Sequence, residues 1–236
     1  MNPTQFTVFV TAVAAALLSS VAHAGRPLQT EDAGVLERSA CEIEGASLRN
    51  AVVGERSTNN DLGLGCGIGL NSQVGLGLLA LRAGSERTRG ANLGGKTGLW
   101  KSGDGDDASA LTLAWGVAAE HTAGGWKRSR SDLTLVASVP VTAGTVHLNL
   151  GHTRTAGSSS RSTNWNAAFE HDGVELLGLK WTPMAELFGD DHGARWWNIA
   201  ARWAVLPEQF FLDLSYGRQV GAAKARLTTL GFKVAF

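Results

Sequence analysis

Nine charged side chains alternate with apolar residues along the chain, and they are the residues best placed for electrostatic chemistry. Six are acids and three are bases, so together they would favour cations slightly if all were ionised. Such groups either brace an interior by pairing with one another or line a wet path. The sequence leaves both alternatives open. The nine residues are Glu42, Glu44, Glu120, Glu170, Lys180, Glu186, Arg202, Asp213 and Lys233.

The two cysteines, Cys41 and Cys66, form a candidate structural pair. They fall on predicted strands joined by one hairpin with its turn near 53–60, so they lie at similar heights across the pair. Compartments outside the cytoplasm favour disulfides. The sequence therefore predicts a Cys41–Cys66 disulfide that staples two strands. The alternative is a pair of small apolar residues facing outward, because Cys66 alternates in phase with Leu62 and Leu70.

The histidines offer a weaker case for catalysis or metal binding. His121 and His152 fall on the outward face near one rim, and Ser129 or Ser131 could lie within a strand or two of His152, as in a lipid hydrolase. The alternative is contact with lipid headgroups, and no motif supports an enzyme, so none is predicted. The stretch GDGDD (103–107) lacks the later Glu of a calcium loop, and no histidines show metal-ligand spacing. We expect no metal or cofactor.

The segments that carry these residues alternate between apolar and polar positions with a period of two, which indicates β-strands. The pattern predicts twelve strands, an even number, as in single-chain bacterial barrels. With the N-terminus in the periplasm, connections after odd-numbered strands, such as 122–131, would face outside. The predicted strands lie near 41–52, 61–70, 73–83, 94–101, 108–120, 131–139, 145–154, 162–171, 174–186, 194–205, 209–219 and 225–236.

Two architectures produce this alternation: a soluble sandwich with its apolar face inward, and a membrane barrel with its apolar face outward. Strands of about 9 to 12 residues match tilted membrane strands, whereas sandwich strands average about 5 or 6. Glycines at 63, 65, 67 and 69 remove side-chain volume from one inner wall. They either let long basic side chains reach across or open a slot for a solute. The sequence therefore predicts an all-β, antiparallel, up-and-down transmembrane barrel over residues 41–236.

The amino-acid composition limits which classes of molecule the chain is expected to bind. Lys+Arg and Asp+Glu are 21 each, so the formal net charge is zero, and a neutral chain binds polyanions poorly. Nucleic acid is therefore not an expected partner. The 30 glycines show no collagen period, and a hydrophobic content of 44% argues against disorder. Outer-membrane lipids are the expected surroundings.

Both ends of the chain carry export signals. Residues 8–22 are an apolar run, and Ala22-His23-Ala24 follows in a small-x-small pattern, so residues 1–24 are predicted to be a signal peptide and 25–40 a periplasmic segment. The alternative, a retained membrane helix, needs about 20 residues. The chain stops on Phe236, in phase with the apolar face. A terminal aromatic residue resembles the assembly signal of outer-membrane barrels, which implies recognition by the barrel-assembly machinery of a Gram-negative bacterium.

The mature N-terminus reads RPLQTEDAG (26–34), and Cys41-Glu42-Ile43-Glu44 begins the first strand. Together with Cys66 and the closing aromatic strand, this opening resembles the outer-membrane family named for the meta-pathway of phenol degradation. The resemblance implies a barrel-forming transporter of small, often aromatic, compounds. We expect a monomer that allows passive uptake of a small aromatic or hydrophobic solute. The alternatives are a structural or surface barrel with a blocked lumen and, less favoured, a rim lipid hydrolase.

Overall fold

The computed structural model describes residues 27–52, 55–105, 108–157, 160–176, 178–221 and 224–236, and the predicted signal peptide lies outside them. Within these ranges no helix combines the length and apolar character needed to cross a membrane. The same ranges contain thirteen strands: β1 (Cys41–Val52), β2 (Glu55–Gly69), β3 (Ser72–Ala83), β4 (Glu86–Lys101), β5 (Ala110–Thr122), β6 (Gly125–Val141), β7 (Gly144–Thr155), β8 (Arg161–His171), β9 (Val174–Leu176), β10 (Leu179–Asp190), β11 (Arg195–Leu206), β12 (Phe210–Gln219) and β13 (Arg226–Ala235).

Twelve of the described strands close into an antiparallel barrel. Neighbours in the chain pair with one another, β8 pairs with β10, and β13 returns to pair with β1. The three-residue β9 pairs with the start of β10 and adds no wall of its own. The prediction of an all-β, up-and-down barrel of about twelve strands is confirmed. The predicted strand 174–186 is wrong in detail, because the chain turns back between β9 and β10, and β10 continues to Asp190.

The barrel is taller than the sequence pattern indicated at the end opposite its termini. We call the end where β1 begins and β13 stops the terminus end, and the other the far end. The predicted external loop 122–131 is mostly strand, because β6 already begins at Gly125, whose φ of 88° closes a tight turn. Similarly, β4 begins at Glu86 rather than near 94. The polar residues here break the apolar alternation, so the pattern predicts loops, although cross-strand pairing continues through them.

The barrel is apolar on the outside and polar on the inside. Outward Leu76 and Leu78 are each 62% exposed, whereas inward Asn149 and Thr112 are buried. Such an exposed apolar band is typical of a surface that contacts lipid. Aromatic rings accompany it near the strand ends, where Trp181 stacks on Trp203 with their ring centroids 5.7 Å apart. The polar interior is therefore the place to look for function.

A disulfide joins β1 to β2 at the terminus end. Cys41 and Cys66 are direct cross-strand partners, and their sulfurs are bonded, which confirms the predicted pair. The Cys41 backbone also exchanges hydrogen bonds with Phe236 across the seam between β1 and β13. The covalent link therefore lies beside the closure of the barrel.

Candidate functional site

An N-terminal segment lies inside the barrel. We call Pro27–Arg38 the lumen segment; Leu28, Thr30 and Glu31 within it are each no more than 3% exposed. It enters at the terminus end, where the Leu36 amide donates to Gln73 of β3, and reaches Glu186 of β10, well inside the barrel. These residues belong to the stretch predicted as a periplasmic segment, 25–40. Sequence reasoning did not anticipate that they fold back into the lumen.

The carboxylate of Glu186 holds the inner part of the lumen segment. It accepts hydrogen bonds from the Gln29 amide at 2.8 and 2.9 Å and from the Thr30 amide at 2.9 Å. The Thr30 hydroxyl donates at 2.7 Å and the Asn198 side-chain amide at 2.8 Å. A buried carboxylate surrounded by donors is a strong anchor, since hydrogen bonds to ionised groups are shorter and stronger than neutral ones. Leu28 adds apolar contact by packing against Ala168 and Met184.

Lys96 of β4 holds the middle of the lumen segment. Its ammonium lies 2.8 Å from Glu31 Oε2 and 3.8 Å from Asp32 Oδ2, and it donates to the Asp32 carbonyl. One ammonium does not compensate the two carboxylates equally, because Glu31 is buried whereas the Asp32 side chain is 40% exposed. Burial raises the pKa of Glu31 to about 8. Although burial alone would also raise the pKa of Asp32, the nearby Lys96 charge brings it below its ordinary value.

Neutral side chains fix the backbone between these charged contacts. Asn149 accepts from the Glu31 amide at 2.7 Å and donates to the Glu31 carbonyl at 3.0 Å. Thr112 donates to the Ala33 carbonyl at 2.6 Å, and the Ala33 amide donates to Ser138 Oγ at 2.8 Å. Asn149 thus satisfies both backbone groups of Glu31, as a strand neighbour would. The segment is bound by wall side chains over most of its length.

Ser138 also contacts a histidine inside the lumen. Its Oγ lies 2.8 Å from His147 Nδ1, and His147 Nε2 lies 3.7 Å from Glu170 Oε2. Ser138 Oγ accepts the Ala33 amide and also hydrogen-bonds His147, so this pair of wall side chains holds the segment. The rim arrangement considered from the sequence, His152 with Ser129 or Ser131, is a different one. His152 faces outward, and the Ser129 hydroxyl has no hydrogen-bond partner in the described part of the chain.

Five of the predicted charged residues meet near the terminus end, on four adjacent strands. Arg202 of β11 binds Asp213 of β12 through Nε at 2.8 Å and Nη2 at 3.2 Å. Lys233 of β13 contacts Glu42, and its Nζ lies 3.7 Å from Glu44 Oε1, both on β1. The first pair links β11 to β12, and Lys233 links β13 to β1 across the seam, so the two clusters brace the barrel where its ends join. Here the structure favours the pairing alternative.

The other predicted charges are dispersed. Glu186 and Glu170 have the contacts described above. Glu120 is half-buried on the inner face of β5, in register with Lys127 of β6. Lys180 is exposed at the terminus end, opposite Glu175, beside a cavity of about 470 Å³. These last two residues take no part in holding the lumen segment.

One of the predicted inner glycines has a specific role. A Cβ on Gly67 would overlap the backbone carbonyls of Leu36 and Glu37, so this glycine lets the lumen segment lie against the wall. The segment residues and their anchors Lys96, Asn149 and Ser138 were missed from the sequence. Of these anchors, Lys96 could have been found from the sequence, because it is a charged residue in phase with the inward positions of β4. Neutral asparagines and serines give no such signal on a face that is polar throughout.

Among the described residues no cluster of three or more His, Cys, Asp or Glu side chains could hold a metal ion. No protein-family model matches the sequence, and a comparison with curated proteins also finds no match.

Solved structures share the fold. The chain is similar to the COG4313 outer membrane channel from Pseudomonas putida F1, with a TM-score of 0.62 and 11% identity over 87% of this chain and 98% of that one. It is similar to the KdgM porin in complex with disordered oligogalacturonate, with a TM-score of 0.59 and 10% identity over 82% and 99%. The NanC porin gives 0.53 and 9% over 81% and 98%. At sequence identities of 9–11%, the similarity to these structures is a similarity of fold alone.

Proposed function

We propose that the protein is an outer-membrane channel that allows passive movement of small solutes, with the lumen segment lying in the path. The observation that carries this proposal is how the lumen is filled. A chain segment occupies it, and side-chain hydrogen bonds and one ion-pair cluster hold that segment. Such contacts can break without disturbing the strand pairing that closes the barrel. The shared fold with three porins or channels supports the same function and an outer-membrane location.

The finer parts of the proposal come from the sequence. The resemblance to the meta-pathway family favours a small aromatic or hydrophobic solute and a monomeric transporter. Phe236 at the end of the closing strand favours recognition by the barrel-assembly machinery. We propose no covalent chemistry.

A structural barrel with a blocked lumen is the second candidate, and a specific observation favours it. The Arg202–Asp213 pair and the Lys233–Glu42–Glu44 cluster brace the seam in the way that a rigid, closed barrel requires. On this alternative the lumen segment would never leave its site. The two candidates therefore differ in whether segment movement controls flux.

A reversible lock on the lumen segment tests the proposal. Ala33 shares a small buried cluster with Ala114 of β5 and Val136 of β6, so an Ala33→Cys, Ala114→Cys variant is designed to form a disulfide that holds the segment in place. In planar bilayers we expect the oxidised variant to show no conductance and the reduced variant to conduct like the parent chain.

Reductant also acts on Cys41–Cys66, so the parent chain with and without reductant is the matched control. Each single cysteine variant controls for the substitution itself. If neither the parent nor the reduced variant carries any current or solute, the blocked barrel is the better description.

A further inference from the structure

The barrel wall binds mainly the backbone of the lumen segment. The segment has neither helix nor strand over Leu28–Glu37, so its backbone polar groups need partners elsewhere. Side chains of the wall strands provide them for five amides and four carbonyls. The amides are those of Gln29, Thr30, Glu31, Ala33 and Leu36, and the carbonyls those of Gln29, Glu31, Asp32 and Ala33.

Two wall asparagines show which chemistry this surface recognises. Asn149 accepts from the Glu31 amide at 2.7 Å and donates to the carbonyl of the same residue at 3.0 Å. Asn166 donates to the Gln29 carbonyl at 2.9 Å. A peptide backbone presents a donor and an acceptor at this spacing, whereas a hydrocarbon solute presents neither. The wall therefore carries a surface for a peptide.

Three side chains of the segment add selectivity. Leu28 packs in an apolar cluster on β8 and β10. The Glu31 carboxylate lies 2.8 Å from the Lys96 ammonium. Ala33 lies in a small cluster on β5 and β6, where Val136 has no exposed surface and a large side chain would not fit. The surface thus selects an apolar residue, an acidic residue three positions later and a small residue two positions after that.

The lumen segment does not satisfy this surface completely. Glu31 Oε1 is buried without a hydrogen-bond partner in the part of the chain that the structure describes, which weakens docking. The covalent tether offsets this weakness, because a tethered segment acts at an effective concentration on the order of millimolar. A free peptide with the same contacts therefore competes poorly with the docked segment and binds once the segment is released.

We propose that the wall surface covered by the lumen segment is a binding site for a short acidic peptide, and that the segment occupies it as a built-in competitor. When the segment leaves, the Lys96 ammonium and the Glu186 carboxylate, each only 3% exposed, lose their partners. A peptide of the stated pattern restores both. The inference rests on the proposed function, because it requires the segment to leave the lumen. It names a class of solute that the resemblance to the meta-pathway family does not imply.

The full-length variant Thr30→Pro vacates the site without changing any wall residue. Proline has neither the backbone amide nor the hydroxyl that donate to Glu186. A fluorescent peptide of sequence PLQTEDAGVL (27–36), blocked at both ends, is titrated against the folded chain in detergent and followed by anisotropy. We expect it to bind Thr30→Pro and to bind the parent at least about tenfold more weakly, since the tethered segment competes there.

Hydrogen–deuterium exchange of the Glu31 and Ala33 amides reports whether the segment has left the wall. If these amides stay protected in Thr30→Pro, Leu28→Asp is added to remove the apolar contact, and the titration is repeated. The site is refuted if the amides exchange freely and the peptide does not bind.

Substitutions in the free peptide test the pattern without altering the protein. A lysine at the position of Glu31 would face the Lys96 ammonium, and a tryptophan at the position of Ala33 would overfill the buried cluster. Each change should weaken binding at least about tenfold. A scrambled peptide of the same composition is the matched control, and binding of the scrambled peptide as strong as that of PLQTEDAGVL would overturn the proposal.

A wall variant tests the other side of the contact. In the Thr30→Pro chain, Asn149→Leu removes both hydrogen bonds to the backbone at the position of Glu31 and should weaken peptide binding at least about tenfold. Asn164→Leu is the matched control, because Asn164 is an inward asparagine of β8 whose side-chain amide donates to Thr153 instead. Heat-dependent gel mobility shows that both variants stay folded. Parent-like binding by Asn149→Leu would contradict recognition by the wall.

Solute flux into proteoliposomes separates failure of the site from failure of the channel. Peptide binding that depends on Asn149, without flux of any solute, would leave the site standing and remove the channel. Flux of small solutes through Thr30→Pro, without binding of the peptide, would leave the channel standing and remove the site.

Discussion

At the scale of single residues, the lumen segment depends most on one carboxylate. Glu186 accepts hydrogen bonds from two backbone amides and a hydroxyl of the segment and from Asn198 on the wall. A glutamine in its place would keep one acceptor oxygen and turn an amide donor toward backbone donors. Docking of the lumen segment would therefore be weakened in two ways: the remaining hydrogen bonds are weaker, and the new amide donor faces backbone amides that also donate.

We expect Glu186→Gln to release the lumen segment at least about tenfold more often, because hydrogen bonds to a charged group contribute about 1.5–3 kcal/mol. The readout is the rate of maleimide labelling of a cysteine introduced at Gln29, whose side chain is not used in the hydrogen bonds to Glu186. Glu175→Gln, exposed near the terminus end, is the control and should label at the parent rate. Slow labelling of Glu186→Gln would show that other contacts dominate.

At the scale of elements, the lumen segment should respond to pH through Glu31. Its pKa is raised from 4.5 to about 8 by burial in the docked segment, so the docked form binds a proton that the released form gives up. Docking is then strongest below about pH 4.5 and weakens as the pH rises through about 8. The direction is opposite to that of a carboxylate held in a simple salt bridge.

Hydrogen–deuterium exchange of the Thr30, Glu31 and Ala33 amides measures this dependence. We expect protection factors, corrected for intrinsic exchange, to fall between about pH 5 and about pH 8.5. Glu31→Gln should flatten the profile, whereas Glu37→Gln, on the exposed part of the same segment, should preserve it. A profile that is unchanged in Glu31→Gln would assign the response to another group.

The disulfide stabilises the two strands beside the seam. It closes a loop with a sequence separation of 25, for which the loss of chain entropy in the unfolded state corresponds to about 3.5 kcal/mol. We expect the double variant Cys41→Ala, Cys66→Ala to lose its folded gel band at a lower temperature than the parent. Reduced parent protein should match the double variant. Equal melting of all three would mean that strand pairing alone secures the seam.

At the scale of the whole molecule, the barrel closes through backbone hydrogen bonds in which every wall strand has two neighbours. Closure removes the free edges that would otherwise promote aggregation. The β13–β1 seam is long, with a continuous register from Glu42 opposite Ala235 to Ala51 opposite Arg226. Phe236 lies just beyond it and is 66% exposed, so its ring adds little to internal packing.

We therefore expect Phe236→Ala to reduce the amount of barrel assembled in cells while leaving the melting temperature of refolded protein unchanged. Gel mobility with and without heating measures both, since a folded barrel migrates differently from the unfolded chain. A band that heating does not shift in the parent would contradict the barrel itself. Parent-like assembly of Phe236→Ala would remove the proposed recognition signal.

The sequence by itself determined the wall of this protein. A period of two assigns each strand residue to one of two faces, so the inward direction of Glu42, Asp213 and Lys233 followed from parity. The hairpin between β1 and β2 is local, so the pairing of Cys41 with Cys66 followed as well. The alternation of apolar and polar positions does not reveal the full length of a strand where polar residues extend it into a predicted loop, as in β4 and β6.

Only the tertiary structure decided what fills the interior. The lumen segment has no periodic pattern of its own, and its anchors Lys96, Asn149 and Glu186 lie on three strands far apart in the chain. Their convergence depends on the curvature and closure of the sheet, which no local pattern encodes. The same closure places four register-matched glycines, Gly65, Gly75, Gly94 and Gly116, beside the segment and Asp132 at the end of their row. Which inward groups meet is thus a property of the closed barrel.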